Sequence, residues 1–113
     1  MIASAQKVGN LTVFVDYNKW QATGRSQEVM SLDPFTKKWE SFGWETFEID
    51  GHNIEEIVEK MNSAKNSNGK PKAFIANTVK GKGVSFMEDD NNWHYRVPTM
   101  DEVAAVKKEL GLS

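Results

Sequence analysis

Three short apolar runs decide what this chain can fold into. Residues 11–16 (LTVFVD), 44–49 (WETFEI) and 73–79 (AFIANTV) begin about 30 residues apart, the length of one strand–helix–strand unit. The first is β-branched and apolar up to its closing acid, the pattern of a strand buried on both faces in a parallel sheet. The second alternates between its two faces. Helical signals fill the gaps. Asp33 is placed to cap a helix with Pro34 in its first position; Phe35, Trp39 and Phe42 share one face, and Gly43 stops it. Asn53 caps the next helix, Glu56 three residues on completes a capping box, and Ile54, Ile57, Val58 and Met61 form an apolar stripe. Thr99 and Glu102 make a second capping box for a helix that turns Val103, Val106 and Leu110 inward and ends at Gly111. Residues 2–7 read as the last turns of a helix that begins upstream, closed by Gly9 or Asn10 in a left-handed turn. Residues 17–32 and 80–97 read as loops, the former with one turn at most, and residues 66–71 (NSNGKP) as a solvent-facing turn. The expectation is an α/β fold: a three-layer, Rossmann-like fragment of a parallel sheet with right-handed crossovers, one partial domain over residues 1–113.

Composition excludes several function classes. A net charge of −2 argues against general nucleic-acid binding, which needs a concentrated basic face. No apolar run approaches the roughly 20 residues of a membrane-spanning helix. With no cysteine, disulfides and thiolate zinc sites are out, and two histidines do not make a histidine-rich metal cluster. The first ten residues lack the charged front and apolar stretch of a signal peptide, so the cytoplasm is the default location. Four tryptophans and six phenylalanines serve either a core or surfaces that another domain or subunit covers.

In parallel sheets of this kind ligands bind beyond the carboxyl ends of the strands. There the sequence places Asp16-Tyr17-Asn18, Asp50-Gly51-His52 and residues 78–83. Asn18 offers a side-chain oxygen just past a strand end, and Trp20 a backbone carbonyl, both suited to a hard cation that shares its shell with a phosphate. The alternative is an Asx turn in which Asp16 or Asn18 bonds its own backbone. A calcium-hand reading fails, because Trp20 and Gln21 stand where that loop needs an oxygen ligand and a glycine. Gly81 and Gly83, interleaved with Lys80 and Lys82, would let backbone and ammonium approach an anion, or simply form a turn; the spacing is neither a Walker loop nor a dinucleotide fingerprint. His94, flanked by Trp93 and Tyr95, is either a phosphate donor or acid, or a half-buried loop histidine. His52, between Asp50-Gly51 and the cap Asn53, reads as structural.

Taken in order, NLTVFVDYNKWQATGR, KKWESFGWETFEIDGHN, FIANTVKGKGVSFMED and WHYRVP resemble the transketolase family, across almost the whole chain from Asn10 to Leu110. The resemblance is closest to split or bacterial transketolases whose diphosphate-binding part is a separate subunit. It implies the back half of a thiamine-diphosphate-binding fold, thiamine diphosphate with magnesium or calcium as cofactors, and transfer of a two-carbon ketol unit between sugar phosphates. It implies that Asn18 is a metal ligand, that Trp20 supplies a backbone carbonyl ligand, and that Asp16 shares the same strand-end turn. His94 falls where the family places a catalytic histidine near diphosphate and substrate, although the family's usual His-Gly is His94-Tyr95 here. Gly81 and Gly83 would form a wall of the cofactor site. The family's Gly-Asp-Gly motif, whose aspartate is the charged metal ligand, is expected upstream of Met1, and the glutamate that activates the cofactor on another domain, across a dimer interface. The partners implied are the remaining transketolase domains or subunit, in a homo-oligomer of the full enzyme, and the chain alone is expected to be inactive. The rival readings are a non-catalytic α/β module that binds a partner or phosphate ligand, and a nucleotide-binding regulatory domain, which would lack its glycine fingerprint.

Overall fold

A computed structural model describes residues 1–66 and 69–112 of the chain. In chain order the elements are α1 (Ile2–Ala5), β1 (Thr12–Tyr17), β2 (Trp20–Gln21), β3 (Gly24–Arg25), α2 (Ser26–Val29), α3 (Phe35–Ser41), β4 (Glu45–Asp50), α4 (Ile54–Ser63), β5 (Lys72–Asn77) and α5 (Met100–Glu109). Single 3-10 turns lie at Ala64–Asn66 and Asn91–His94. The strands β1, β5 and β4 form a parallel sheet in that order, with β5 in the centre, so the expected α/β class holds. No helix among the described residues is long and apolar enough to cross a membrane.

The register explains the core. Phe14, Phe74 and Phe47 are neighbours across the three strands. Their rings stack at 4.8 Å and 4.9 Å between centroids. Residues two apart on a strand share a face, so Ile49 and Ala76 join this side. Ile57 of α4 and Ala64 just beyond it pack onto them. On the opposite face Tyr17 meets Phe35 of α3 edge-on at 5.4 Å, and Trp39 meets Trp44 at 4.8 Å. Helices therefore cover both faces, giving the three expected layers.

Several local expectations are corrected. The strand β1 is not buried on both faces: Phe14 stays 45% exposed, because β1 is an edge strand and α4 lies over β4 and β5. Only Ile57 of the α4 stripe packs on the core, whereas Ile54, Val58 and Met61 are exposed, as is Leu110 of α5. The first helix ends without help from Gly9 or Asn10; Lys7 takes the left-handed conformation at φ 54°. Asp33 does not cap α3. Its carboxylate accepts from Gln27 instead, and Pro34 stands at the cap position. Gly43 does stop α3, at φ 83°, where a Cβ would lie 2.2 Å from Ser4 Oγ. Asn53 caps α4 by accepting from the Glu56 amide at 3.1 Å, but the Glu56 carboxylate reaches the Asp50 amide rather than returning to Asn53, so that box is half formed. The loop at 17–32 contains the β2–β3 hairpin and a turn of helix. Of the turn expected at 66–71, residues 67 and 68 lie outside the described residues, and Pro71 is buried rather than solvent-facing.

The Thr99–Glu102 box is complete. Glu102 accepts from the Thr99 amide at 2.7 Å and from its hydroxyl at 3.0 Å, and the Glu102 amide donates to Thr99 Oγ1 at 3.3 Å. The Thr99 amide, with smaller help from the Thr99 hydroxyl and Arg96, holds the Glu102 carboxyl below its ordinary value of 4.5. A depressed carboxyl stabilises the fold above its unfolded value and loses that contribution as pH falls through the folded value. The start of α5 is thus expected to fray in acid below the ordinary glutamate range. Amide exchange at residues 100–104 should show it, and Glu102→Gln should remove that acid dependence while weakening the cap at neutral pH.

Candidate cofactor-binding site

Because the three strands run parallel and in register, Tyr17, Asp50 and Asn77 end them at one edge of the sheet. The segments after them are stitched together. The Thr78 hydroxyl donates to Asp16, and the Thr78 amide reaches the Tyr17 carbonyl at 3.4 Å. The Gly51 amide donates to the Asn77 carbonyl at 2.8 Å. His52 Nε2 accepts from the Val79 amide at 2.8 Å, which places the ring proton on Nδ1 and gives His52 the structural role expected of it.

Asn18 sits in the turn directly after β1. Its Oδ1 accepts from the Trp20 amide at 3.0 Å, so the Asx turn weighed as an alternative is present. That bond does not exhaust the oxygen: a carbonyl has two lone pairs, and the turn fixes where the second points. Lys19, between them, is left-handed at φ 70°, with its ammonium 3.4 Å from the Tyr17 ring centroid and donating to Asn77 Oδ1. Burial pulls the Lys19 pKa down, partly offset by Glu48 and Asp33. Burial likewise raises that of Tyr17, as do Asp33 and Glu48. Trp20 opens the hairpin, and Arg25 is its cross-strand partner.

The loop after β5 folds back on itself. Gly81 stands at φ 73°, and a Cβ there would lie 2.4 Å from the Met87 carbonyl oxygen, so glycine is required for that backbone approach. The Gly83 amide donates to Glu88 at 3.0 Å, and Lys82 pairs with the same carboxylate at 3.5 Å. The Gly83 amide first, and Lys82 after it, hold the Glu88 carboxyl below its ordinary range. The anion that this glycine turn greets in the structure is thus the chain's own Glu88.

Sequence reasoning missed how the loop is fastened to the hairpin. Asp89 accepts from Trp20 Nε1 at 2.8 Å and from both Arg25 terminal nitrogens at 2.6 Å, while the Arg25 guanidinium lies 3.7 Å from the Trp20 ring centroid. Asn91 Nδ2 donates to the Gln21 and Ala22 carbonyls at 3.1 and 3.2 Å. The acidic run at 88–90 was the available signal, but nothing local says which cation it meets. Asp16, Asn18 and Trp20 are thus brought together at the end of β1, with the glycine loop tied to them through Thr78 and Asp89. His94 is not tied in. It is exposed, in the 3-10 turn, its ring edge-on to Tyr95 at 4.6 Å, while its neighbour Trp93 turns inward to donate to the Phe86 carbonyl at 3.1 Å.

The family described as transketolase, thiamine diphosphate binding domain, matches residues 1–113. One of the subunits of apulose-4-phosphate transketolase from Actinobacillus succinogenes is 42% identical over 110 residues, covering 97% of this chain and 40% of that protein. A 6-deoxy-6-sulfo-D-fructose transketolase subunit of a Clostridium species is 47% identical over 88 residues, covering 78% of this chain and 32% of that protein. The crystal structure of transketolase from Campylobacter jejuni superposes with a TM-score of 0.89 at 26% identity, over 99% of this chain and 17% of that one. The chain thus spans well under half the length of these relatives, and within that span it belongs to the transketolase family, as part of its thiamine-diphosphate-binding domain.

Proposed function

We propose that this chain, as a single partial domain over residues 1–113, supplies one side of a thiamine-diphosphate and divalent-metal site in a cytoplasmic transketolase that moves a two-carbon ketol unit between sugar phosphates. The observation that carries the reading is the Asn18 side chain, pinned by the Trp20 amide at 3.0 Å beyond the carboxyl end of β1, where parallel sheets bind ligands. When bound, the cofactor supplies the carbanion chemistry, and the chain's residues bind and orient it.

The residues fit such a group as a partial set. Asn18 Oδ1 keeps a free lone pair, and the Trp20 carbonyl is a second neutral oxygen two residues on; both suit magnesium, which prefers oxygen ligands. Neither carries charge. Asp16 is engaged by the Thr78 hydroxyl, and among the described residues no group of three or more His, Cys, Asp or Glu could hold a metal ion. A dication on a diphosphate also takes a carboxylate ligand, which this reading assigns to the Gly-Asp-Gly motif outside these residues. This is the expected arrangement if the rest of the site belongs to the remaining domains or to a partner subunit, and two similar proteins are themselves named as subunits. His94 is assigned to phosphate or substrate, a role for which its exposed imidazole leaves it accessible.

Titration calorimetry with thiamine diphosphate and Mg2+ tests this. The chain alone is expected to give no measurable heat, and the transketolase that contains it a saturable isotherm. Micromolar affinity of the lone chain would refute the partial site. Absence of cofactor binding by the larger enzyme would refute the reading altogether.

A further inference from the structure

We infer that Asp89, through Arg25, is a positioning residue for Trp20: it latches the loop after β5 to the hairpin after Asn18 and thereby sets the Trp20 backbone at the cofactor site. The inference rests on the reading of Asn18 and Trp20 proposed above.

The geometry is a closed cluster. One Asp89 oxygen takes the indole N–H of Trp20 at 2.8 Å and Arg25 Nη1 at 2.6 Å, and the other takes Arg25 Nη2 at 2.6 Å. Arg25 in turn lies over the Trp20 ring at 3.7 Å and is paired with Trp20 across the hairpin. Three side chains therefore fix one another, and the backbone of one of them is the proposed metal ligand. Asp89 is itself held by its amide, which donates to the Lys80 carbonyl at 2.8 Å, and it adopts φ 56°, a left-handed conformation that few non-glycine residues take. An exposed ion pair contributes little by itself. Here the fork of the guanidinium meets both carboxylate oxygens and the indole fills the remaining direction, so the cluster supplies orientation rather than attraction.

What separates positioning from plain structure is where the contacts go. Among the described residues the Asp89 side chain bonds to Trp20 and Arg25 alone, and neither belongs to the sheet that carries the phenylalanine stack. Loss of the latch should loosen the hairpin without unmaking the core.

The test uses the holoenzyme containing this chain, with Asp89→Ala, Asp89→Asn and Asn18→Ala measured in parallel for thiamine diphosphate Kd at fixed Mg2+, kcat at saturating cofactor, and Tm of the apoprotein. The expected result for Asp89→Ala is a Kd raised about tenfold, at the lower end of what supporting shells contribute to metal affinity, with kcat reduced less than about twofold and Tm moved by no more than a degree or two. Asp89→Asn, which keeps an acceptor for the indole, should fall between it and the parent. A Kd within twofold of the parent for Asp89→Ala, or a Tm that drops in step with affinity across the series, overturns the latch. If Asn18→Ala weakens binding and Asp89→Ala does not, the latch alone fails; if Asn18→Ala leaves Kd unaltered, the underlying site assignment fails with it.

Discussion

Asn18→Ala in the assembled enzyme is expected to raise the dissociation constant for thiamine diphosphate with Mg2+ by about 100-fold, while reducing fold stability by only about 1 kcal/mol. The second figure is the net worth of one hydrogen bond, here the one from the Trp20 amide to Asn18 Oδ1 at 3.0 Å. The first follows because loss of even a residue that merely supports a ligand costs 10- to 100-fold in metal affinity, and Asn18 is proposed as the ligand itself. A 100-fold change corresponds to about 2.7 kcal/mol, so binding should suffer well beyond folding. Asn18→Asp is the informative companion. It keeps an acceptor for the Trp20 amide and brings negative charge to the cation, so affinity should stay within about tenfold of the parent. Calorimetric titration paired with urea unfolding separates the two quantities. Equal losses of affinity and stability in Asn18→Ala would mean that the residue only shapes the turn.

Phe74→Ala should be the most destabilising single truncation in the sheet, at about 3–5 kcal/mol, a large share of the 5–15 kcal/mol typical of a domain. Phe74 is 1% exposed and lies between Phe14 at 4.8 Å and Phe47 at 4.9 Å. The comparison that gives the number meaning is Phe14→Ala. Phe14 makes one of the same ring contacts but is 45% exposed, so its loss removes roughly one aromatic pair, about 0.5–1.5 kcal/mol, and only part of a burial contribution. Denaturant midpoints at unchanged slope would measure both. If the two truncations cost the same, ring stacking outweighs burial, and the core is not held as described.

What could be read in advance was whatever is encoded locally. The strands came out within a residue or two of their bounds because apolar, β-branched runs between turn signals are a property of a few adjacent positions. Thr99-x-x-Glu102 formed its full box for the same reason. Asp33 failed as a cap because Gln27, six residues earlier, took its carboxylate, and Glu56 turned to the Asp50 amide. Strand β1 has the apolar composition of a central strand but lies at the edge of the sheet formed by these residues, which leaves Phe14 exposed. The site divides in the same way. Asn18 and Trp20 stand out as strand-end residues and through the family resemblance, whereas the Asp89 cluster joins Trp20 and Arg25 to a residue more than sixty positions away, and no local pattern announces a contact that the tertiary fold creates. The role of His52 was legible as structural, but not its acceptor bond to Val79, for the same reason.

The strand that occupies the middle of the sheet is the last of the three to leave the ribosome. Since β1 and β4 touch β5 and not each other, neither of these two ladders can form before β5 has emerged. Phe14 and Phe47 gain Phe74, the ring that both stack on, only when residues 72–77 arrive. Long-range closure of this kind is slow and exposes aggregation-prone intermediates. Premature termination before Lys72 would therefore remove both of these ladders at once, together with the middle ring of the phenylalanine stack.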